Sequence, residues 1–243
     1  MPSVFVPSNF AVDTLSFGKH KPNTNNGYNI DIIIGNSTEE TLIQTPKMRT
    51  PFGISTDKTN PFKKSLDISF QNEDSNESIK AFRKLVQKID TLVIDYAMKN
   101  CKTFFKKDLS REVVTEYYFS AIKPSKKAEY SDTFRFKLPF LKPNPEKNMP
   151  DGKFITDFWD TEGNQKDYQF LDKGDHVISL IKPKQLWTGS KGFGVTWECT
   201  QVRVYKQKKT SGYAAFVKTN DSDSDSVEEV EVEESEEEVE VDA

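Results

Sequence analysis

The sequence predicts a mainly β fold, built as a small, closed or half-open antiparallel barrel with a helix pair packed against it. Three observations predict it. Short runs rich in β-branched and aromatic residues, bounded by Gly, Pro, Asn and Asp, recur on both sides of one helical stretch. No alternation of strand, helix and strand appears, which argues against a doubly wound parallel sheet. One long segment carries an apolar stripe at helical spacing.

Residues 1–27 are rich in Asn, Ser, Pro and Thr and read as a flexible N-terminal arm. Residues 28–34 (YNIDIII) form a β-branched run stopped by Gly35 and read as a strand. Residues 42–54 (LIQTPKMRTPFGI) are strand-like but hold Pro46 and Pro51. Proline removes a ladder donor, so this segment should lie at a sheet edge or line a groove. Residues 65–70 (SLDISF) alternate with period two and read as a strand. The helix follows: Ile79, Phe82, Leu85, Val86, Ile89, Leu92, Val93 and Tyr96 recur at spacings of three and four. Asp74 or Ser75 is expected to cap it, and Glu77 suits the positive end of its dipole. A shorter helix is expected over 110–119. Strands are expected over 133–138, 153–159, 169–171, 176–183 and 195–205. Pro143, Pro145 and Pro150 mark a loop, and 160–164 (DTEGN) is a hairpin turn. The organisation is an arm (1–27), one folded domain (28–219) with a helical insertion at about 75–120, and a tail (220–243).

The charge is unevenly spread. Thirteen of the 38 acidic residues fall within 221–243, which has no Lys or Arg. Positions 1–220 therefore hold 34 basic against 25 acidic residues, a formal +9, although the whole chain is −4. The tail is expected to be disordered from its composition and self-repulsion. Its carboxylates are Asp221, Asp223, Asp225, Glu228, Glu229, Glu231, Glu233, Glu234, Glu236, Glu237, Glu238, Glu240 and Asp242. On a basic body such a tail can cover an anion-binding surface at high effective concentration. Its serines, at 222, 224, 226 and 235, suit an acidophilic kinase. In the body, 18 Phe, 8 Tyr and 3 Trp supply the core area that a 35% hydrophobic content would otherwise lack.

Cations and rings interleave in three places: 45–52 (TPKMRTPF), 123–137 (KPSKKAEYSDTFRFK) and 182–209. Single-stranded nucleic acid needs that pairing, since cations track phosphates and flat rings stack on bases that a duplex hides. The candidates are Lys47, Met48, Arg49 and Phe52 in the first stretch, and Lys126, Lys127, Arg135 and Lys137 in the second. The third supplies Trp187, Lys191, Phe193, Trp197, Arg203, Tyr205 and Lys206. Alternation puts Phe134 and Phe136 on a core face and Arg135 and Lys137 on the other, toward a groove or water. Trp197 shares a face with Arg203 and Tyr205 and reads as binding or core. The loop 189–194 (GSKGFG) is neither a phosphate-binding P-loop nor a dinucleotide fingerprint.

Catalytic and cofactor chemistry find no support. Two histidines, His20 and His176, and two cysteines, Cys101 and Cys199, fit no metal-ligand spacing, and no G-x-S-x-G is present. No cofactor, metal or enzymatic activity is expected. With no secretory signal and no long apolar run, the chain is read as intracellular, its thiols buried and reduced, with no membrane partner.

The segments LIQTPKMRTPFGI, the helix after SLDISF, FWDTEGN, and WTGSKGFGVTWECTQVRVY together resemble the single-stranded DNA-binding proteins of nucleocytoplasmic large DNA viruses. That family is related to the single-stranded DNA-binding protein of phage T7. The resemblance covers residues 28–206 and the tail. It implies an OB-fold-like barrel with an inserted helix. It implies binding without sequence preference in viral DNA replication, recombination and repair. It further implies a tail that competes with DNA and contacts replication proteins such as a DNA polymerase or primase-helicase. Lys47, Met48, Arg49, Trp187, Lys191 and the strand from Trp197 to Tyr205 match by position. The phage tail ends on an aromatic residue, whereas this sequence ends Val-Asp-Ala, so tail contact is expected to be electrostatic. RNA binding and a homodimer remain compatible with this reading. Two rivals are an acidic-tailed chaperone for basic proteins and a virion structural protein.

Overall fold

The alternation of residues 133–138 becomes a strand whose Phe134, Phe136 and Leu138 are buried while Arg135 and Lys137 face outward. The computed structural model describes residues 2–35, 40–147, 149 and 151–207. The acidic tail, with all thirteen carboxylates assigned to it, lies outside the described residues. In chain order the first strands are β1 (Ser3–Phe5), β2 (Leu15–Pro22), β3 (Tyr28–Ile34), β4 (Thr41–Gln44), β5 (Met48–Arg49), β6 (Ile54–Thr56) and β7 (Lys64–Ser69). Helices α1 (Glu77–Lys99), α2 (Cys101–Phe105) and α3 (Arg111–Glu116) follow. Then come β8 (Tyr118–Phe119), β9 (Ile122–Lys123), β10 (Thr133–Leu138), β11 (Phe140–Leu141), β12 (Lys153–Phe154), β13 (Asp157–Trp159) and β14 (Gln165–Lys166). The long hairpin β15 (His176–Gly189) and β16 (Gly192–Tyr205) closes the order.

Five strands hydrogen-bond in a ring. β5 pairs with β7, β7 with β10, β10 with β16, β16 with β15, and β15 returns to β5. Taken in chain order the ring runs first, second, third, fifth, fourth, which is a Greek-key barrel of the OB type. Two seams are narrow, β5–β7 through Arg49 and Ser69 and β10–β16 through Lys137 and Glu198. The barrel is thus partly open, as expected. It is not wholly antiparallel, because β10, β13 and β8 run parallel to β16, and β1 runs parallel to β4.

Helix α1 closes the barrel with the predicted stripe. Phe82 meets Phe134 edge-on at 5.0 Å and Phe70 at 6.0 Å. Each such ring, once buried, contributes about 1.5–3 kcal/mol. The cap is Asn76, not Asp74 or Ser75: the backbone N–H groups of Ser78 and Ile79 donate to its Oδ1 at 3.0 and 3.2 Å. Asp74 and Ser75 sit one turn earlier, in a short 3-10 turn. The second predicted helix shortens to α3, capped by Ser110, and residues 118–119 switch to strand β8.

Three further expectations are corrected. The N-terminal arm is part of the sheet: β1 pairs with β4, β2 pairs with β3, and Phe10 and Leu15 join the core. Its polar composition masks the few apolar anchors, among them Phe17, whose ring stacks on Tyr96 at 3.9 Å. β4 is interior, between β1 and β15, because Pro46 and Pro51 fall outside β4, β5 and β6 and cost the ladder nothing. Residues 169–171 are not a strand. Asp167 accepts the Gln169 N–H at 2.9 Å, a local bond that favours a 3-10 turn at Tyr168–Phe170. The turn at 160–164 is borne out, with Asp160 N–H donating to the Asn164 carbonyl and β13 pairing with β14. Cys101 and Cys199 are both buried free thiols. No helix among the described residues is long and apolar enough to cross a membrane.

Candidate nucleic-acid interface

The outer face of β7 and β10 carries charge where the inner face carries Phe and Leu. Arg135 opposes Asp67 across the ladder, and its Nε and Nη2 donate to the two carboxylate oxygens at 2.8 Å each. Asp67 is fully buried, whereas the Arg135 side chain stays half exposed above it. Lys137 opposes Ser65 and reaches Thr196 Oγ1 at 3.5 Å. Partial desolvation lowers the Lys137 pKa. Glu198 opposes that shift, while Lys63 and Lys184 add to it. Glu198 is itself engaged by Lys184 at 2.8 Å.

The β6–β7 hairpin forms one wall. Asp57 accepts from Thr59 N–H, Thr59 Oγ1 and Asn60 N–H at 2.9, 2.6 and 2.9 Å, a side-chain turn that fixes the loop. The Thr59 hydroxyl and backbone bonds also hold the Asp57 carboxyl below its usual pKa range. The loop presents Lys58, Phe62 and Lys63, and Lys64 follows at the start of β7. The Phe62 ring lies parallel to Phe140 (6.4 Å, 13°), with Lys64 above Phe140 and Lys142 above Phe62, each at 5.6 Å.

A second ring ledge stands at Phe119 and Trp187, whose centroids are 5.9 Å apart. Phe119 is 47% exposed. Behind it the hairpin backbone comes close: a Cβ on Gly194 would lie 2.6 Å from the Phe119 carbonyl oxygen and 3.1 Å from the indole. Gly192 and Gly194 therefore make room for this ledge, and the tip itself is a tight turn.

Between the two ledges runs an open groove of about 750 Å³. Six cations line it, Lys58, Lys63, Lys64, Lys123, Arg135 and Lys137, against Asp57 and Glu198. Five of the six, all but Arg135, make no ion pair with a described residue. Lys123 donates to the Ser120 carbonyl at 2.7 Å, and desolvation with the nearby Arg135 charge lowers its pKa. Cations held by no carboxylate can neutralise phosphates, and the accessible rings beside them can stack on bases. Among the described residues no group of three or more His, Cys, Asp or Glu could hold a metal ion.

Of the sequence candidates, Arg135, Lys137 and Trp187 meet in this groove. Met48, Phe193 and Trp197 are buried in the core, at 1%, 0% and 2% exposure, and offer no face to a base. Trp197 lies beneath the groove floor, edge-on to Phe134 at 5.2 Å. Lys47 sits 4.2 Å above the Tyr205 ring, and Arg49 and Tyr205 both oppose His176, away from the groove lining. Arg203 lines a separate hollow with Trp159 and Gln44. Lys206 is bound to Asp172, Asp175 and the Phe170 carbonyl. Phe52 is exposed in the β5–β6 loop, and Lys191 is exposed at the hairpin tip. Lys126 and Lys127 are exposed between β9 and β10, with Lys127 paired to Glu129.

Sequence reasoning missed Lys58, Phe62, Lys63 and Lys64, although residues 57–64 (DKTNPFKK) interleave cation and ring as the chosen stretches do. It also missed Phe140, and it missed Phe119 because that residue was assigned to a helix end.

No curated protein matches the sequence. Among solved structures the chain is similar to gp2.5, a single-stranded DNA-binding protein encoded by bacteriophage T7. The identity is 14% over 74% of this chain and 96% of that one, with a TM-score of 0.42. It is also similar to the single-stranded DNA-binding protein of bacteriophage Enc34 in complex with ssDNA, at 15% identity over 79% and 97% of the two chains and a TM-score of 0.41. The same Enc34 protein in another structure gives 11%, 83%, 96% and 0.39. Residues 65–218, from the start of the charged face of β7 through β16 and beyond, match a single family description, and the chain belongs to that family of unknown function, DUF5871.

Proposed function

We propose that this protein binds single-stranded nucleic acid, DNA foremost, along the groove between the Phe62–Phe140 and Phe119–Trp187 ledges, without sequence preference. One observation carries the reading: five unpaired cations lie between two accessible ring pairs on the β7–β10 face of an OB-type barrel. That face and its flanking loops are where such barrels take up oligonucleotides. A duplex would present phosphates to the cations but no base faces to the rings, so single strands are preferred. The biological setting proposed is replication, recombination and repair of a viral genome, as the sequence resemblance implies. The reading extends to the tail as a tethered polyanion that competes for the groove and is released to replication proteins when DNA binds.

Titration with fluorescent oligo-dT and a duplex of equal length tests the reading. The expected result is tight binding of the single strand at low salt, with quenching of Trp187 that disappears in Trp187→Phe. Equal affinity for the duplex, or no binding at low salt, would overturn it. Removal of residues 221–243 is expected to tighten oligo-dT binding at matched salt; unchanged or weaker binding would end the tail-competition idea.

A further inference from the structure

Phe119 is the most exposed ring of the groove, yet it lies in a two-residue strand whose neighbours are tethered inward. Tyr118 donates its hydroxyl to Asp90 Oδ1 at 2.5 Å, and Ser120 donates its hydroxyl to Asp90 Oδ2 at 2.6 Å. Side chains alternate along an extended segment, so fixing residues 118 and 120 to the inside directs residue 119 outward. Asp90 sits on α1, and burial raises its pKa, with both hydroxyl bonds opposing the shift. The Ser120 oxygen also accepts the Ile122 N–H at 3.1 Å, which continues the fixed geometry into β9. On the other side the β8 backbone lies against Phe193 and Gly194 of β16. The ring therefore has little freedom to fold back.

We propose that Asp90 is a positioning residue for nucleic-acid binding: it acts through Tyr118 and Ser120 to hold Phe119 out as a preformed base-stacking ledge beside Trp187. The inference rests on the groove being the nucleic-acid site. The two rings are 5.9 Å apart and inclined by 30°, too close to admit a base between them. A base stacks instead on the outer face of the pair. A ring already in place binds without the ordering cost that a mobile one would incur.

The test uses the full chain in a Trp159→Phe background, with Phe119→Ala, Asp90→Ala, Asp90→Asn and the double variant Asp90→Ala/Phe119→Ala. Phe119→Ala is expected to weaken oligo-dT binding about tenfold, the range of one lost stacking contact. Asp90→Ala should approach that loss, and the double variant should fall short of the product of the two single effects. Asp90→Asn keeps an acceptor and a donor for the two hydroxyls and should bind nearly as the parent does. Acrylamide quenching of the free protein reads the ledge without DNA: Trp187 should become more accessible in Asp90→Ala and not in Asp90→Asn. Fully multiplicative binding losses, or unchanged quenching in a folded Asp90→Ala, would overturn the positioning role. If the parent fails to bind oligo-dT, the proposed function fails, and the quenching comparison alone decides whether Asp90 holds the ledge.

Discussion

Asp67→Asn is expected to weaken the fold and tighten nucleic-acid binding. Asp67 is fully buried and takes both hydrogen bonds of Arg135, whose side chain is 51% exposed. In the groove the two charges form a close pair, so a phosphate some ångströms away feels little of the guanidinium. Neutralising Asp67 leaves a full positive charge in the same place. At about 6 Å, one such charge and a phosphate interact by ~0.7 kcal/mol in bulk water and ~2.8 kcal/mol at an effective dielectric of 20. A half-exposed site lies nearer the lower figure, so binding should tighten by about 1 kcal/mol, roughly fivefold. Asn keeps the shape and one acceptor, but the weaker hydrogen bonds should cost about 1–3 kcal/mol of stability. Anisotropy titrations with oligo-dT at several salt concentrations, beside urea unfolding, separate the two effects. The slope of log affinity against log salt should steepen by about 0.7 as one more phosphate is neutralised. A folded Asp67→Asn protein that binds no tighter, with an unchanged slope, would refute the claim that Asp67 masks Arg135.

Five unpaired groove cations predict a salt slope of about −3.5 for the parent protein on oligo-dT, and a slope near zero would contradict their contact with phosphates. Lys137→Ala should weaken binding several-fold and flatten that slope, whereas Lys206→Met should leave both unchanged and lower the urea midpoint, because Lys206 already serves Asp172, Asp175 and Phe170. Although desolvation pulls the Lys206 ammonium down, hydrogen bonds and charges from Asp175 and Asp172 outweigh it and raise its pKa above 10.5. Its contribution is therefore present below pH 10.5 and lost as pH rises through the raised value, so the melting temperature should fall more steeply there in the parent than in Lys206→Met.

What was legible in the sequence depended on whether the signal was local. The α1 stripe and the 133–138 alternation each carry their own periodicity, and both elements stand where expected. The tight turn at 160–164 was equally local. The N-terminal strands were not, since β1 and β2 are defined by pairing with β4 and β3 rather than by their own apolar content. The same distinction divides the site. Arg135 and Lys137 followed from strand alternation, but the assignment of Phe193 and Trp197 failed because β16 is buried on both faces along residues 192–197. A strand covered on both sides loses the polar alternation that would mark its inner face. Phe119 faces outward through Asp90, a residue 29 positions earlier on a helix, and no local pattern carries that information.

The net charge of the body does not locate the proposed groove, for a physical reason. A basic side chain contributes to phosphate binding only to the extent that no carboxylate already neutralises it. Arg83 is held by Glu73 and Asp132 and lies over Phe70; Lys184 is held by Glu198; Lys206 is held by two aspartates. These cations serve the fold, and together with their partners they add almost nothing to the field outside. Lys58, Lys63, Lys64, Lys123 and Lys137 have no such partners among the described residues, and all five line one groove. An excess of nine positive charges spread evenly would attract any polyanion equally, duplex included. Among the cations that no described carboxylate holds, these five are the ones gathered between rings, and the rings, not the charge, are what a duplex cannot use. Replacing Phe62, Phe119 and Phe140 together with Leu should therefore erase the preference for single strands while keeping most of the salt-dependent affinity. A triple variant that still prefers oligo-dT over duplex by the parental margin would show that the discrimination lies elsewhere.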